Sequence, residues 1–135
     1  MKTAQESNDH SYKYTLPNSK EIILKQELIQ CPEMLFQPSY ANRSDLDGIH
    51  KFTYDSIMKC DNDIKKELFK SIVLAGGCTM FANMKERMKK EIQALAPSTM
   101  GPEVDAPADR KHSAWLGGAI LSLIEKFEPM WITKA

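Results

Sequence analysis

Hydrophobic and polar positions alternate first in "YKYTL" and then in "EIIL", two short runs separated by "PNSK". Pro17 and Asn18 supply turn chemistry, so the pattern predicts a β-hairpin. Ahead of it, residues 1–11 are polar and predict disorder or the end of a helix. "KQELIQC" predicts a short helix halted at Pro32, and Pro38 ends any helix begun in "EMLFQPSY". In "LDGIHKFTYDSIMKC" a helical period puts Ile49, Phe52, Ser56, Ile57 and Cys60 on one face. Asp61 is placed to cap the next helix, "NDIKKELFK", with Asp63 in its acidic first turn. The apolar run "SIVLA" then predicts a strand buried on both faces.

Beyond two glycines a second period of helical length begins. Asn83 with Glu86 three residues on has the spacing of a capping box. Met84, Met88, Ile92 and Leu95 form the apolar stripe that follows. Glu86–Lys90 and Arg87–Glu91 support its wet face, each pair contributing about 0.2–0.5 kcal/mol. "APSTMGPEVDAPADRK" is a proline-broken loop with room for one short strand near Val104. Ser113 is placed to cap the last helix, "AWLGGAILSLIEKF", whose apolar centre predicts burial and whose tail is interrupted by Pro129. "MWITKA" closes the chain with apolar residues that read as exposed.

Composition narrows the class. A chain of 135 residues suits one domain with a modest core. Its 18 basic and 18 acidic residues leave no net charge to attract nucleic acid or an anionic membrane. No apolar stretch reaches the length of a bilayer span, and the N-terminus lacks the apolar centre of a signal peptide. Cys31, Cys60 and Cys78 are odd in number and widely spaced, which points to reduced thiols rather than a disulfide framework or a zinc site. His10, His50 and His112 are scattered, and no nucleophile–base or paired-carboxylate arrangement stands out.

The glycines between strand and helix, Gly76 and Gly77, are the one local feature with chemical content. Without Cβ, such a turn lets a ligand lie against the main chain, and free N–H groups at a helix start favour negative charge. The pattern is neither a phosphate loop with its lysine nor a dinucleotide fingerprint. On local pattern two readings stay open, a plain tight turn and a ligand contact, and the first is the commoner.

Six segments then carry a resemblance: "CPEMLFQPSY", "GIHKFTYDSIMKCDNDIKKELF", "VLAGGCTMF", "RMKKEIQALAPSTM", "APADRKHSAWLGGAIL" and "FEPMWITK". In this order and spacing the chain resembles the C-terminal third of the actin family, as a divergent actin, actin-related or actin-like protein. The resemblance implies an α/β fold: a partial second lobe of the sugar kinase, Hsp70 and actin class (ribonuclease H-like), helix-rich, with a small mixed sheet and the N-terminal hairpin. Residues 1–44 would end the small outer subdomain of that lobe. Residues 45–112 would form its large inner subdomain, and residues 113–135 would begin an incomplete return into the first lobe.

The resemblance also implies a site. Gly76, Gly77, Cys78, Thr79, Met80 and Phe81 match the family's adenosine-contacting turn, with Phe81 where actin has tyrosine and Cys78 where it has threonine. Met80 would pack on adenine, the Gly77 backbone would pass near the phosphates, and Lys111 would reach the adenine side. The parent fold takes ATP or ADP with Mg or Ca on two glycine-rich hairpins, each with an aspartate, in an earlier part of the chain. No segment of this sequence matches them, so no catalytic or metal residue is assigned here. The expectation is weak or no nucleotide binding by this chain alone, and no hydrolysis.

Asp61 and Asp63 fall where actin makes longitudinal contacts. Leu121, Ile124 and Met130 match the lining of its partner cleft. Actin-family subunits or actin-binding proteins are the implied partners, in the cytoplasm and cytoskeleton with the nucleus also open. Where actin has a loop with an apolar tip, this chain has Asn42, Arg43 and Asp45. The sequence thus predicts a C-terminal fragment of an actin-family cytoskeletal protein; a short isoform, a partial gene model and a decayed copy are compatible origins. The alternatives are a stand-alone actin-like interaction module without nucleotide, and an ATPase completed by a separate polypeptide.

Overall fold

The computed structural model describes residues 11–132. The sequence expectation for residues 1–11 therefore lies outside the described residues except at Ser11, as does the end of "MWITKA". The chain divides into two compact units, Met1–Phe52 and Thr53–Ala135.

The first unit opens with the expected hairpin. Strands β1 (Tyr12–Thr15) and β2 (Glu21–Leu24) pair antiparallel, Tyr12 opposite Leu24 and Thr15 opposite Glu21. Ser19 adopts φ 64° in the connection, and its N–H donates to the Leu16 carbonyl at 2.9 Å. Lys13 pairs with Glu21 diagonally on one face. Helix α1 (Glu27–Glu33) runs one residue past Pro32 instead of stopping before it. In so short a helix the proline lies in the last turn, where its missing N–H removes one bond without breaking a longer ladder. Glu33 is buried at its end, and Gln37 Nε2 donates to its Oε1 at 2.7 Å. Pro38, expected as a stop, opens a 3-10 turn, Pro38–Ala41, since its fixed φ suits a first helical position.

The polar tip that follows is closed by an ion pair. Asn42 takes a left-handed conformation at φ 56°, and the Arg43 guanidinium grips the Asp45 carboxylate through Nε and a terminal nitrogen, both at 3.0 Å. That fork holds the Asp45 carboxyl below its ordinary range and raises the Arg43 guanidinium in return.

Helix α2 (Ile49–Met58) starts where the main chain is crowded. Phe36 stacks on His50 with ring centroids 5.8 Å apart, and the Ile49 N–H donates to the Leu35 carbonyl at 2.9 Å. A Cβ at Gly48 would stand 2.7 Å from His50 Cε1 and would also collide with the Phe36 carbonyl oxygen. The apolar face expected of this helix is only partly formed. Ile57 is buried, but Phe52 is 52% exposed and Cys60 lies beyond the helix end. Tyr54 is the aromatic residue that reaches the core, its ring 6.1 Å from that of Phe69.

In the second unit, helix α3 (Asn62–Lys70) has Asp61 at its N-cap position with extended backbone, and Asp63 in the first turn, as expected. Asp61 makes no side-chain cap bond, which corrects the capping expectation. Strand β3 is only Ile72–Val73, not the whole of "SIVLA", and it pairs parallel with β4 (Val104–Asp105). It is not buried on both faces: Ile72 and Leu74 point inward while Val73 is 61% exposed. The core under helix Met84–Leu95 covers one face and Val73 on the other stays exposed, so the run alternates in and out as a half-buried strand does. The short strand expected near Val104 is present.

Helix α4 (Met84–Leu95) packs on β4 and buries Met84, Met88 and Ile92, while Leu95, the fourth residue of the expected stripe, stays exposed. Each buried side chain contributes about 1.5–3 kcal/mol relative to exposure. Phe69, Ile72, Leu74 and Val104 complete this core. Arg87 Nε meets Glu91 Oε1 at 2.7 Å, the expected pair. The capping box is absent, because Asn83 sits at φ 58° and makes no side-chain cap bond. A capping side chain reaches the first-turn N–H groups from an extended backbone, and a left-handed one aims it elsewhere.

Helix α5 (Ser113–Ser122) is shorter than the pattern predicts, and a 3-10 turn, Glu125–Met130, contains Pro129. Its cap position belongs to His112, not Ser113, whose Oγ donates to the Arg110 carbonyl at 3.2 Å. The expected burial of this helix does not occur. None of its residues is buried, and Trp115 is 74% exposed. Among the described residues no helix is long and apolar enough to cross a membrane.

Gly48→Ala tests the crowding at the start of α2. We expect a loss of about 1–3 kcal/mol, the range of an overpacked site, measured by urea unfolding against wild type.

Candidate functional site

The end of β3 delivers the glycine turn. After Leu74 the chain leaves the strand pair, and Gly76 takes φ 92° and ψ 160°, a region essentially closed to residues with a Cβ. Gly77 opens a single 3-10 turn, Gly77–Thr79. Thr79 Oγ1 donates to the Gly76 carbonyl at 2.7 Å, and the Thr79 N–H reaches the same oxygen at 3.1 Å. Met80 N–H donates to Gly77 O at 3.1 Å. The turn is thus closed by its own hydrogen bonds. Nothing lies within 4 Å of a Cβ built on Gly76 or Gly77, so this stretch of main chain faces open space.

A second segment runs beside it. The Leu74 N–H donates to Asp105 O and the Gly76 N–H to Arg110 O, both at 2.8 Å, carrying main-chain contact past the end of the two-residue strands. Arg110 also turns its guanidinium onto the turn. Nε and a terminal nitrogen reach Thr79 O at 3.2 and 3.0 Å, and the other terminal nitrogen reaches Pro107 O at 3.0 Å. Lys111, the next residue, is exposed at the edge of this pairing.

The fold therefore sets the turn that holds Gly76, Gly77, Cys78, Thr79, Met80 and Phe81 beside the segment that holds Lys111, and the bonds between the two are made by Arg110. Met80 is 41% and Phe81 38% exposed, so both present apolar surface beside the open glycines, and Cys78 is an exposed free thiol. Arg110 is the component that pattern reasoning missed. Its signal was slight, a position next to Lys111 in "ADRKHS".

The other candidate residues lie elsewhere in the second unit. Asp61 and Asp63 are exposed at the start of α3. Leu121 and Ile124 are exposed where α5 ends, linked by the Ile124 N–H to Leu121 O bond at 3.2 Å, and Met130 is 65% exposed in the turn beyond. Among the described residues no group of three or more histidine, cysteine, aspartate or glutamate side chains converges to hold a metal ion.

An actin family model matches residues 1–135. This chain belongs to the actin family. Its helix-rich architecture with two small sheets is compatible with part of an actin-like fold. Members of the actin family generally bind ATP or ADP with a divalent metal and are typically cytoplasmic and cytoskeletal. At the glycine pair the main chain is approachable without displacing a side chain.

The two glycines should respond differently to a methyl group. Gly76→Ala is expected to lower stability by about 1–3 kcal/mol, the strain of a non-glycine residue in that region. Gly77→Ala, with open space and no such backbone constraint, is expected to stay within about 1 kcal/mol of wild type. Urea unfolding of both variants reads the difference.

Proposed function

We propose that the chain supplies the adenosine-facing wall of an actin-type ATP site, as a C-terminal portion of an actin-family cytoskeletal protein. The single observation that carries this reading is the open glycine turn, fixed by hydrogen bonds to the loop that ends in Lys111, in a chain of the actin family. Met80 offers the adenine ring an apolar surface, the Gly77 main chain lies open to the sugar and phosphates, and Lys111 adds a positive charge at the adenine side. These residues fit the nucleoside half of the ligand. The phosphates and their metal would be held by segments outside residues 1–135, and ATP bound there would supply the phosphoryl chemistry. One wall excludes little water and holds no γ-phosphate in line, so this chain alone contributes binding rather than hydrolysis.

Leu121, Ile124 and Met130 form, on this reading, part of a contact surface for actin-family subunits or actin-binding proteins, with Asp61 and Asp63 at a second contact. Their exposure supports that assignment.

Titration of the labelled chain with ATP, followed by amide NMR, tests the nucleotide reading. The expected result is perturbation centred on Gly77, Cys78, Thr79, Met80 and Lys111, with a Kd on the order of 1 mM, about −4 kcal/mol. Gly77→Ala should weaken binding while leaving stability nearly unchanged. Perturbations elsewhere, or none at concentrations well above that Kd, would overturn the reading. Micromolar affinity or ATP turnover by this chain alone would contradict the division of the site between segments.

A further inference from the structure

We propose that Arg110 is a positioning residue that staples the glycine turn to the loop carrying Lys111, so that both present to a nucleotide as one preformed surface. The adenosine role of that surface rests on the function proposed above, whereas the staple rests on geometry. Among the described residues, every hydrogen bond of the Arg110 guanidinium ends on a main-chain carbonyl. Two N–H groups converge on Thr79 O at 3.2 and 3.0 Å, and the remaining terminal nitrogen reaches Pro107 O at 3.0 Å and Ala106 O at 3.4 Å. The Arg110 main chain repeats the link, because its carbonyl accepts the Gly76 N–H at 2.8 Å. One residue therefore touches both ends of the turn, Gly76 and Thr79, which lie more than thirty positions earlier in the chain, at a sequence separation of 31 for Thr79.

A planar guanidinium suits this task and an ammonium does not. Its donors diverge in a fixed plane, so fixing one pair on Thr79 O sets the direction of the other nitrogen toward Pro107 O. The group is half-buried, and the Pro107 carbonyl also accepts the Arg110 main-chain N–H at 3.2 Å, so backbone and side chain of Arg110 grip the same oxygen. The turn is small, and its own bonds, Thr79 to Gly76 and Met80 to Gly77, hold its shape but not its place relative to Lys111. Removing the guanidinium leaves the Gly76 N–H to Arg110 O bond at the near end of the turn but releases the Thr79 end, which should then be free to shift. A nucleotide would then have to order two segments on binding, and its affinity would fall accordingly.

The test uses the full chain carrying Arg110→Ala, Arg110→Gln or Arg110→Lys. Hydrogen exchange is read at Gly76, Thr79 and Met80, with the Met88 to Leu95 amides of α4 as an internal control, and ATP affinity is measured alongside. For Arg110→Ala we expect exchange in the turn to rise on the order of tenfold, the scale of a lost charge-assisted bond. The α4 amides should keep their wild-type rates. ATP binding should weaken by a similar factor, and Arg110→Lys should recover only a small part of either change. Unchanged exchange in the turn would overturn the staple, as would equal loosening of α4, which marks a merely structural role. If the turn loosens selectively but wild type shows no ATP binding, the staple stands and the nucleotide reading falls. If wild type binds ATP and Arg110→Ala binds it equally well, the nucleotide reading stands and the staple falls.

Discussion

The parallel pairing of β3 with β4 is only two residues deep, yet the second unit is arranged around it. Ile72 lies opposite Val104 and Val73 opposite Asp105. The contact is prolonged at both ends by main-chain bonds, Glu103 N–H to Phe69 O before the strands and Gly76 N–H to Arg110 O after them. A ladder so short has few bonds of its own and depends on the apolar side chains beneath it. Phe69 and Ile92 are fully buried there, with Met84 and Met88 beside them. Parallel strands need a long crossover, and α4 provides it while covering the same core. Core burial thus fixes the strand pair, and the strand pair fixes where the glycine turn meets the 106–111 loop.

Much of this was legible in the chain. Alternation in "YKYTL" and "EIIL" gives the hairpin, and the methionine and isoleucine spacing gives the buried face of α4. The glycine pair marks the break between strand and helix where it occurs. What could not be read were features set by neighbours rather than by spacing. The burial of "SIVLA" depends on whether a layer packs on one face or on both, and the length of an apolar run does not state that. Asn83 has a capping residue's chemistry, but the turn before it imposes a left-handed backbone that withdraws the side chain. Phe52 fits a helical stripe by period, while Tyr54, off that stripe, is the ring that meets Phe69. Helix α5 is apolar in composition but exposed, because burial requires a partner surface and periodicity supplies only one side.

The candidate site shows the same division. Gly76 and Gly77 could be singled out because glycine has a distinctive conformational meaning, and the structure places Gly76 where only glycine sits without strain. An actin family model matches residues 1–135, and the adenosine role of the turn is the proposal built on that match. Arg110 carries no such local mark. An arginine between an aspartate and a lysine reads as surface charge, and its significance appears only when the fold sets it against Thr79 O. The candidate site is therefore a product of long-range contact: open main chain at the glycines is bonded to a residue more than thirty positions away.

Contacts between bound adenosine and individual side chains test the central claim most directly. Intermolecular NMR transfer from the adenine protons to the full chain should mark the Met80 methyl and the Lys111 side chain together, since one preformed surface contains both. Transfer to Met80 without Lys111, or to the exposed face of α5 in place of either, would show that the turn and the loop do not act as a single adenosine-facing wall.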